Sequence, residues 1–140
     1  SVGALAVWSG RLVAGVNHQT GGAACSIAVW DGASWSPLGS GMDNNVYSLV
    51  VRSNGDLIAG GVFSRAGGLA ASTIAEWNGT SWFALGAGTS GVVQTLSLLP
   101  GDVTVAGGFF EFAGNAPNKS IARWNGWSSD SVSRASRKTR

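Results

Sequence analysis

The chain has 140 residues, 22 of them glycine and seven tryptophan, with 11% charged residues and a formal net charge of +2. That is one domain's worth of chain at most, and low charge beside so many large rings indicates a packed β protein and excludes a disordered polymer. The positive charge is a poor guide to partners: Arg134, Arg137, Lys138 and Arg140 crowd the last seven residues, while residues 1–133 hold five Lys/Arg against seven Asp/Glu. The body is mildly acidic, so the sequence implies neither nucleic acid nor a membrane as partner. No apolar run approaches the ~20 residues of a membrane-crossing helix, and the opening residues carry no signal-peptide pattern. The single cysteine, Cys25, excludes an intrachain disulfide and a thiolate metal cluster, and reads as a small buried hydrophobe.

In chain order, the first predicted strand is Val2-Gly3-Ala4-Leu5-Ala6-Val7, turning at Ser9-Gly10 into a second that ends Ala14-Gly15-Val16-Asn17-His18. The run Ile27-Ala28-Val29-Trp30-Asp31-Gly32-Ala33-Ser34-Trp35 predicts a hairpin of third and fourth strands. The same order returns with Val46–Val51, a turn at Asn54-Gly55, Leu57–Phe63 carrying the pair Gly60-Gly61, and the hairpin Ile74–Trp82 around Asn78-Gly79. It returns again with Val93–Leu98, Pro100-Gly101, Thr104–Phe110 carrying Gly107-Gly108, and Ile121-Ala122-Arg123-Trp124-Asn125-Gly126. Trp30, Trp77 and Trp124 are 47 residues apart both times. A strand-rich repeat of that length is the mark of a blade array.

Asn-Gly and Asp-Gly between apolar runs predict two-residue type I′ turns, which set Trp77 opposite Thr80 and Ala75 opposite Trp82. Trp77 and Trp82 then share a sheet face as diagonal neighbours, as do Trp30 and Trp35. The expected role of these rings is packing between neighbouring sheets; sugar stacking would require them to be exposed. Paired glycines inside a strand mark a bulge or the close approach of another backbone.

Four short antiparallel strands, repeated radially, describe a β-propeller blade. The diglycine ending one strand and the tryptophan on the next resemble the kelch repeat. The phrases Asn54-Gly55-Asp56-Leu57-Ile58-Ala59-Gly60-Gly61 and Ile121-Ala122-Arg123-Trp124-Asn125-Gly126 more closely resemble the Gly/Trp-rich repeats of large bacterial extracellular propeller proteins. The resemblance covers residues 2–126, implies a secreted or extracellular setting, and brings no catalytic residues with it. It divides residues 1–127 into three blades, about 1–40, 41–87 and 88–127. The first lacks the diglycine. The third loses its fourth strand, since Trp127-Ser128-Ser129-Asp130-Ser131 does not match the earlier copies. Residues 128–140 read as non-repeat sequence, a disordered basic tail.

Propellers have roughly four to eight blades, so three leave an apolar sheet face bare at each end. A face of four strands offers roughly 300–400 Å², worth on the order of 8–10 kcal/mol when buried. A homodimer closing a six-bladed ring satisfies both ends; the alternative is a piece of a larger propeller.

Function is expected where residues break the repeat on the loop face formed by the second-to-third and fourth-to-first connections, because loops on a rigid scaffold carry sites. Asp43, Asn44 and Asn45 stand where the third blade has Ser90, Gly91 and Val92, and His18 and Glu111 lie in second-to-third loops. The leading expectation is a binding module holding a glycan, peptide or partner at the loop face or channel mouth. The alternative is a metal-dependent hydrolase similar to the calcium-dependent lactonases and phosphotriesterases, in which Asp43, Asn44 and Asn45 would hold Ca2+ as hard oxygen ligands and His18 or Glu111 would serve as base. Asp31, Asp56 and Asp102 read as turn chemistry. No nucleophile elbow, P-loop or dinucleotide fingerprint is present.

Overall fold

A computed structural model describes residues 2–16, 26–86, 88–110, 112–113, 116–117, 121–125 and 128–131. His18, Cys25, Glu111 and the last nine residues fall outside that set. The described chain is all-β. Its strands are β1 (Val2–Trp8), β2 (Arg11–Val16), β3 (Ile27–Trp30) and β4 (Trp35–Pro37); then β5 (Val46–Val51), β6 (Leu57–Gly61), β7 (Arg65–Ala66), β8 (Leu69–Ala70), β9 (Ile74–Trp77) and β10 (Trp82–Ala84). They continue with β11 (Val92–Leu99), β12 (Val103–Phe109), β13 (Phe112–Ala113), β14 (Ala116–Pro117), β15 (Ile121–Asn125) and β16 (Ser128–Ser131).

Three four-stranded antiparallel sheets result, in the orders β1-β2-β3-β4, β5-β6-β9-β10 and β11-β12-β15-β16, with β7-β8 and β13-β14 as small hairpins in the connections between second and third strands. The third sheet therefore has a fourth strand: Ser128–Ser131 pairs with Ala122–Asn125, Trp124 opposite Ser129. The sequence expectation failed there because a ladder needs only backbone donors and acceptors, which Ser-Ser-Asp-Ser supplies as well as an apolar run does.

The tryptophan hairpins also differ from expectation. Trp77 lies directly opposite Trp82 and Trp30 opposite Trp35, across four-residue loops. The Asn78 side-chain oxygen accepts hydrogen bonds from the Thr80 and Ser81 amides, and the Asp31 carboxylate accepts from Ala33 and Ser34. This side-chain turn displaces the two-residue loop. Two-residue turns with positive φ at both central residues stand elsewhere, at Ser9-Gly10 (φ 51° and 74°), joining Trp8 to Arg11, and at Gly67-Gly68 (φ 61° and 84°), joining Ala66 to Leu69.

Each first strand carries a bulge, between Val2 and Ala4, Val46 and Ser48, and Val93 and Thr95. The diglycines meet these bulges. A Cβ on Gly61 would stand 2.1 Å from the Asn45 carbonyl oxygen, and one on Gly108 would stand 2.0 Å from that of Val92. The preceding glycine faces the next sheet: a Cβ on Gly60 would meet Val93 at 2.6 Å, and one on Gly15 would meet Val46 at 2.6 Å. Close sheet-to-sheet approach is thus built in at the same place twice.

Two apolar cores follow. Val13, Ile27, Val29 and Leu38 of the first sheet bury against Val46, Leu49, Leu57, Trp77 and Trp82 of the second. Ile58, Ile74 and Leu85 of the second bury against Val93, Leu96, Ala106 and Trp124 of the third. Trp82 also donates its indole N–H to the Leu38 carbonyl at 2.9 Å. No helix among the described residues is long and apolar enough to cross a membrane.

Candidate functional site

The connections into the third and first strands of consecutive sheets lie together at one end of each seam. Between the second and third sheets they enclose an open cleft of about 310 Å³, lined by Val62, Phe63, Ser64, Ser72, Thr73, Thr89, Ser90, Gly91 and Val92. Every side chain in that lining is neutral, and five carry hydroxyls.

Thr73 is the unusual residue. Its φ is +70°, a left-handed conformation that a β-branched side chain rarely adopts and that costs on the order of 1–3 kcal/mol. Three backbone bonds hold it there. Its N–H donates to the Phe63 and Ala71 carbonyls, each at 2.9 Å, and its carbonyl accepts from Gly61 at 2.9 Å. The conformation aims the hydroxyl across the seam: Thr73 Oγ1 lies 2.6 Å from Thr89 Oγ1 and 2.5 Å from the Ser72 carbonyl, while Thr89 Oγ1 lies 3.0 Å from the Gly91 carbonyl. Two hydroxyl protons serve three close oxygen pairs, so one pair is always a proton short. A ligand donor could complete the set.

At the corresponding place between the first and second sheets, Asp43 does a different job. Its carboxylate accepts from the Ser64 amide (2.9 Å), the Ser64 hydroxyl (2.7 Å) and the Arg65 amide (3.0 Å). Partial burial opposes its ionisation, but the Ser64 hydroxyl and the two amides outweigh this and hold the carboxyl below its usual range. Asn44 accepts from the Asn45 amide, and Asn45 Nδ2 donates to the Tyr47 hydroxyl at 3.3 Å. The three residues are adjacent, as the sequence requires, but the Asp43 carboxylate is turned to organising the β6–β7 connection. Among the described residues no group of three or more His, Cys, Asp or Glu stands together to hold a metal ion.

The opposite end of the seam between the second and third sheets holds a charged cluster that the sequence did not signal. Arg52 Nη1 lies 3.6 Å from Glu76 Oε1, and Arg52 Nη2 donates to Thr104 Oγ1 at 3.4 Å. Burial, then a hydrogen bond with Asp56, pushes the Glu76 carboxyl up to about 7 against the pull of Arg52. Beside it, Asp102 accepts from both the Ser53 hydroxyl and the Ser53 amide, which hold its carboxyl below the usual range. The first seam has Trp8 donating to the Gly55 carbonyl at 2.8 Å in the corresponding position. Turn chemistry was the expected role of Asp31, Asp56 and Asp102, and Asp31 fills it. Asp102 fills it with a φ of 61° between β11 and β12 while its carboxylate also reaches Ser53, and Asp56 bonds Glu76 on β9.

The chain matches no family model, no curated protein and no solved structure.

Proposed function

We propose that the three sheets are propeller blades, that dimerisation completes a six-bladed ring, and that the chain is a binding module whose ligand is a neutral, hydroxyl-rich chain, a glycan, held in the cleft between the second and third sheets. The observation that carries the ligand reading is the Thr73–Thr89 hydroxyl pair, largely buried in the wall of a cleft with no charged lining, where a strained backbone holds Thr73. Strain kept in a cleft wall is a common sign of a functional position. Sugar hydroxyls both donate and accept, which suits a pair of threonines one proton short beside two backbone carbonyls.

The test is titration calorimetry of the chain against a panel of neutral oligosaccharides, repeated with Thr73→Val, which keeps the branched shape and deletes the hydroxyl. A binding oligosaccharide is expected to weaken about tenfold in the variant, the loss of roughly 1.4 kcal/mol. No binding across the panel, or equal affinity in Thr73→Val, would contradict the reading.

A further inference from the structure

The outer face of the first sheet is apolar and exposed, and that of the third carries exposed apolar side chains with Arg123 beside Ile121 on the same strand face. On the first sheet Leu5 is 60% exposed, Val7 67%, Leu12 37% and Trp35 49%. The counterparts of Leu5, Leu12 and Trp35 in the second sheet are Leu49 at 8%, Leu57 at 0% and Trp82 at 2%, all buried against the first sheet, and Val51, the counterpart of Val7, packs on the same core. On the far side of the third sheet Ile121 is 47% exposed and Leu99 46%. The counterparts of Ile121 are Ile27 and Ile74, both fully buried, each facing the sheet that follows it. Leu5, Leu12, Trp35 and Ile121 therefore occupy repeat positions whose natural environment is visible elsewhere in the molecule: a seam between consecutive sheets.

The two faces are also complementary halves of such a seam. Among the described residues no sheet packs on the outer face of the first sheet or of the third. Three sheets are too few to bring those two faces together in one ring. They can meet between two copies, and the reciprocal contact then closes the assembly. Resting on the propeller reading above, we infer that the Leu5-Leu12-Trp35 face of one copy seats on the Leu99-Ile121 face of a second copy, and that the second copy's first sheet seats on the third sheet of the first. Two seams of this size bury roughly 1,200–1,600 Å², the range of a stable specific interface. The seam reproduces the internal ones: apolar contacts between sheets, with tryptophans at one edge. The glycan cleft lies wholly within one chain, so it survives whether or not the copies pair.

The experiment uses two variants at exposed positions, Leu12→Glu and Ile121→Glu, with far-ultraviolet circular dichroism confirming an unchanged β spectrum and light scattering at tens of micromolar giving the mass. The unaltered chain is expected to have the mass of two chains, and each variant alone the mass of one, since either substitution spoils both seams. Mixed in equal amounts, the variants are expected to recover a two-chain species, because the Leu12→Glu copy offers an intact third sheet to the intact first sheet of the Ile121→Glu copy. A one-chain mass for the unaltered chain, a polydisperse polymer, or an Ile121→Glu chain that still pairs would overturn the inference; the last result would mean that first sheets pair with each other. Oligosaccharide binding measured on the same variants reports on the cleft separately.

Discussion

Two tryptophan pairs with almost the same geometry meet opposite fates. Trp77 and Trp82 lie with ring centroids 5.3 Å apart at 48°, Trp30 and Trp35 at 5.4 Å and 52°. Both pairs close four-residue loops pinned by an Asn or Asp side chain. Yet Trp82 is 2% exposed and Trp35 49%. The hairpin alone decides how the rings face each other; the neighbouring sheet decides whether they see water. Trp82 has the Leu38 carbonyl for its indole N–H and the first sheet for its ring. Local structure and burial are separate outcomes of the same repeat.

The largest expected effect breaks that pairing of twins. Trp82→Ala should destabilise the fold by about 3–5 kcal/mol, the usual cost of emptying a large core position. Trp35→Ala should cost no more than roughly 1 kcal/mol in dilute monomer, as surface substitutions do. Denaturant midpoints of the two variants measure the contrast, and equal losses would mean that Trp35 is already buried within its own chain.

A smaller effect is expected at the diglycine. Gly61→Ala puts a Cβ against the Asn45 carbonyl and should cost about 1–3 kcal/mol, the range for forcing extra atoms into a packed site. The first sheet already carries Val16 at the matching position, opposite Val2, so Val16→Ala should be milder. Thermal melts of both variants compare the same bulge in a sheet that leaves no room for a Cβ and in one that already holds a side chain there.

The smallest effect separates the two internal seams. Glu76 faces the third sheet where Val29 stands in the first sheet, and its carboxyl is raised from 4.5 to about 7. A raised carboxyl favours the neutral form in the fold. Its stabilisation is full below pH 4.5 and is lost as the pH climbs through about 7. The melting temperature of the unaltered chain, relative to Glu76→Gln, should therefore fall across that window. Taking the difference between the two chains cancels the aspartates, whose lowered values act in the opposite sense at lower pH. A flat difference would show that Glu76 stays charged in the fold.

Much of the architecture was legible because its causes are local. The 47-residue return of Trp30, Trp77 and Trp124 and the two diglycines place the strands of the three sheets except β16, and the glycines mark the bulges and close approaches they were expected to mark. Register was less legible. Asn78-Gly79 suits a two-residue turn, but an Asn side chain accepting two amides stabilises a longer loop that the same letters permit. Burial was less legible still, since Leu5 and Leu49 have the same strand context and differ only in what lies beyond the sheet. The candidate site was almost invisible: nothing in Ser72-Thr73 announces a left-handed threonine, which backbone bonds to the distant Gly61 and Phe63, with a local one to Ala71, impose. Asp43 stood out by breaking the repeat, but its carboxylate serves the neighbouring loop.

Hydroxyl-radical footprinting of Trp35 over a dilution series, with Trp82 in the same molecule as the buried standard, tests most directly the claim that a second copy supplies the missing neighbour. The account predicts that Trp35 reacts as slowly as Trp82 in concentrated solution and becomes reactive as the mass falls from two chains to one. A Trp35 that is reactive at every concentration would contradict it.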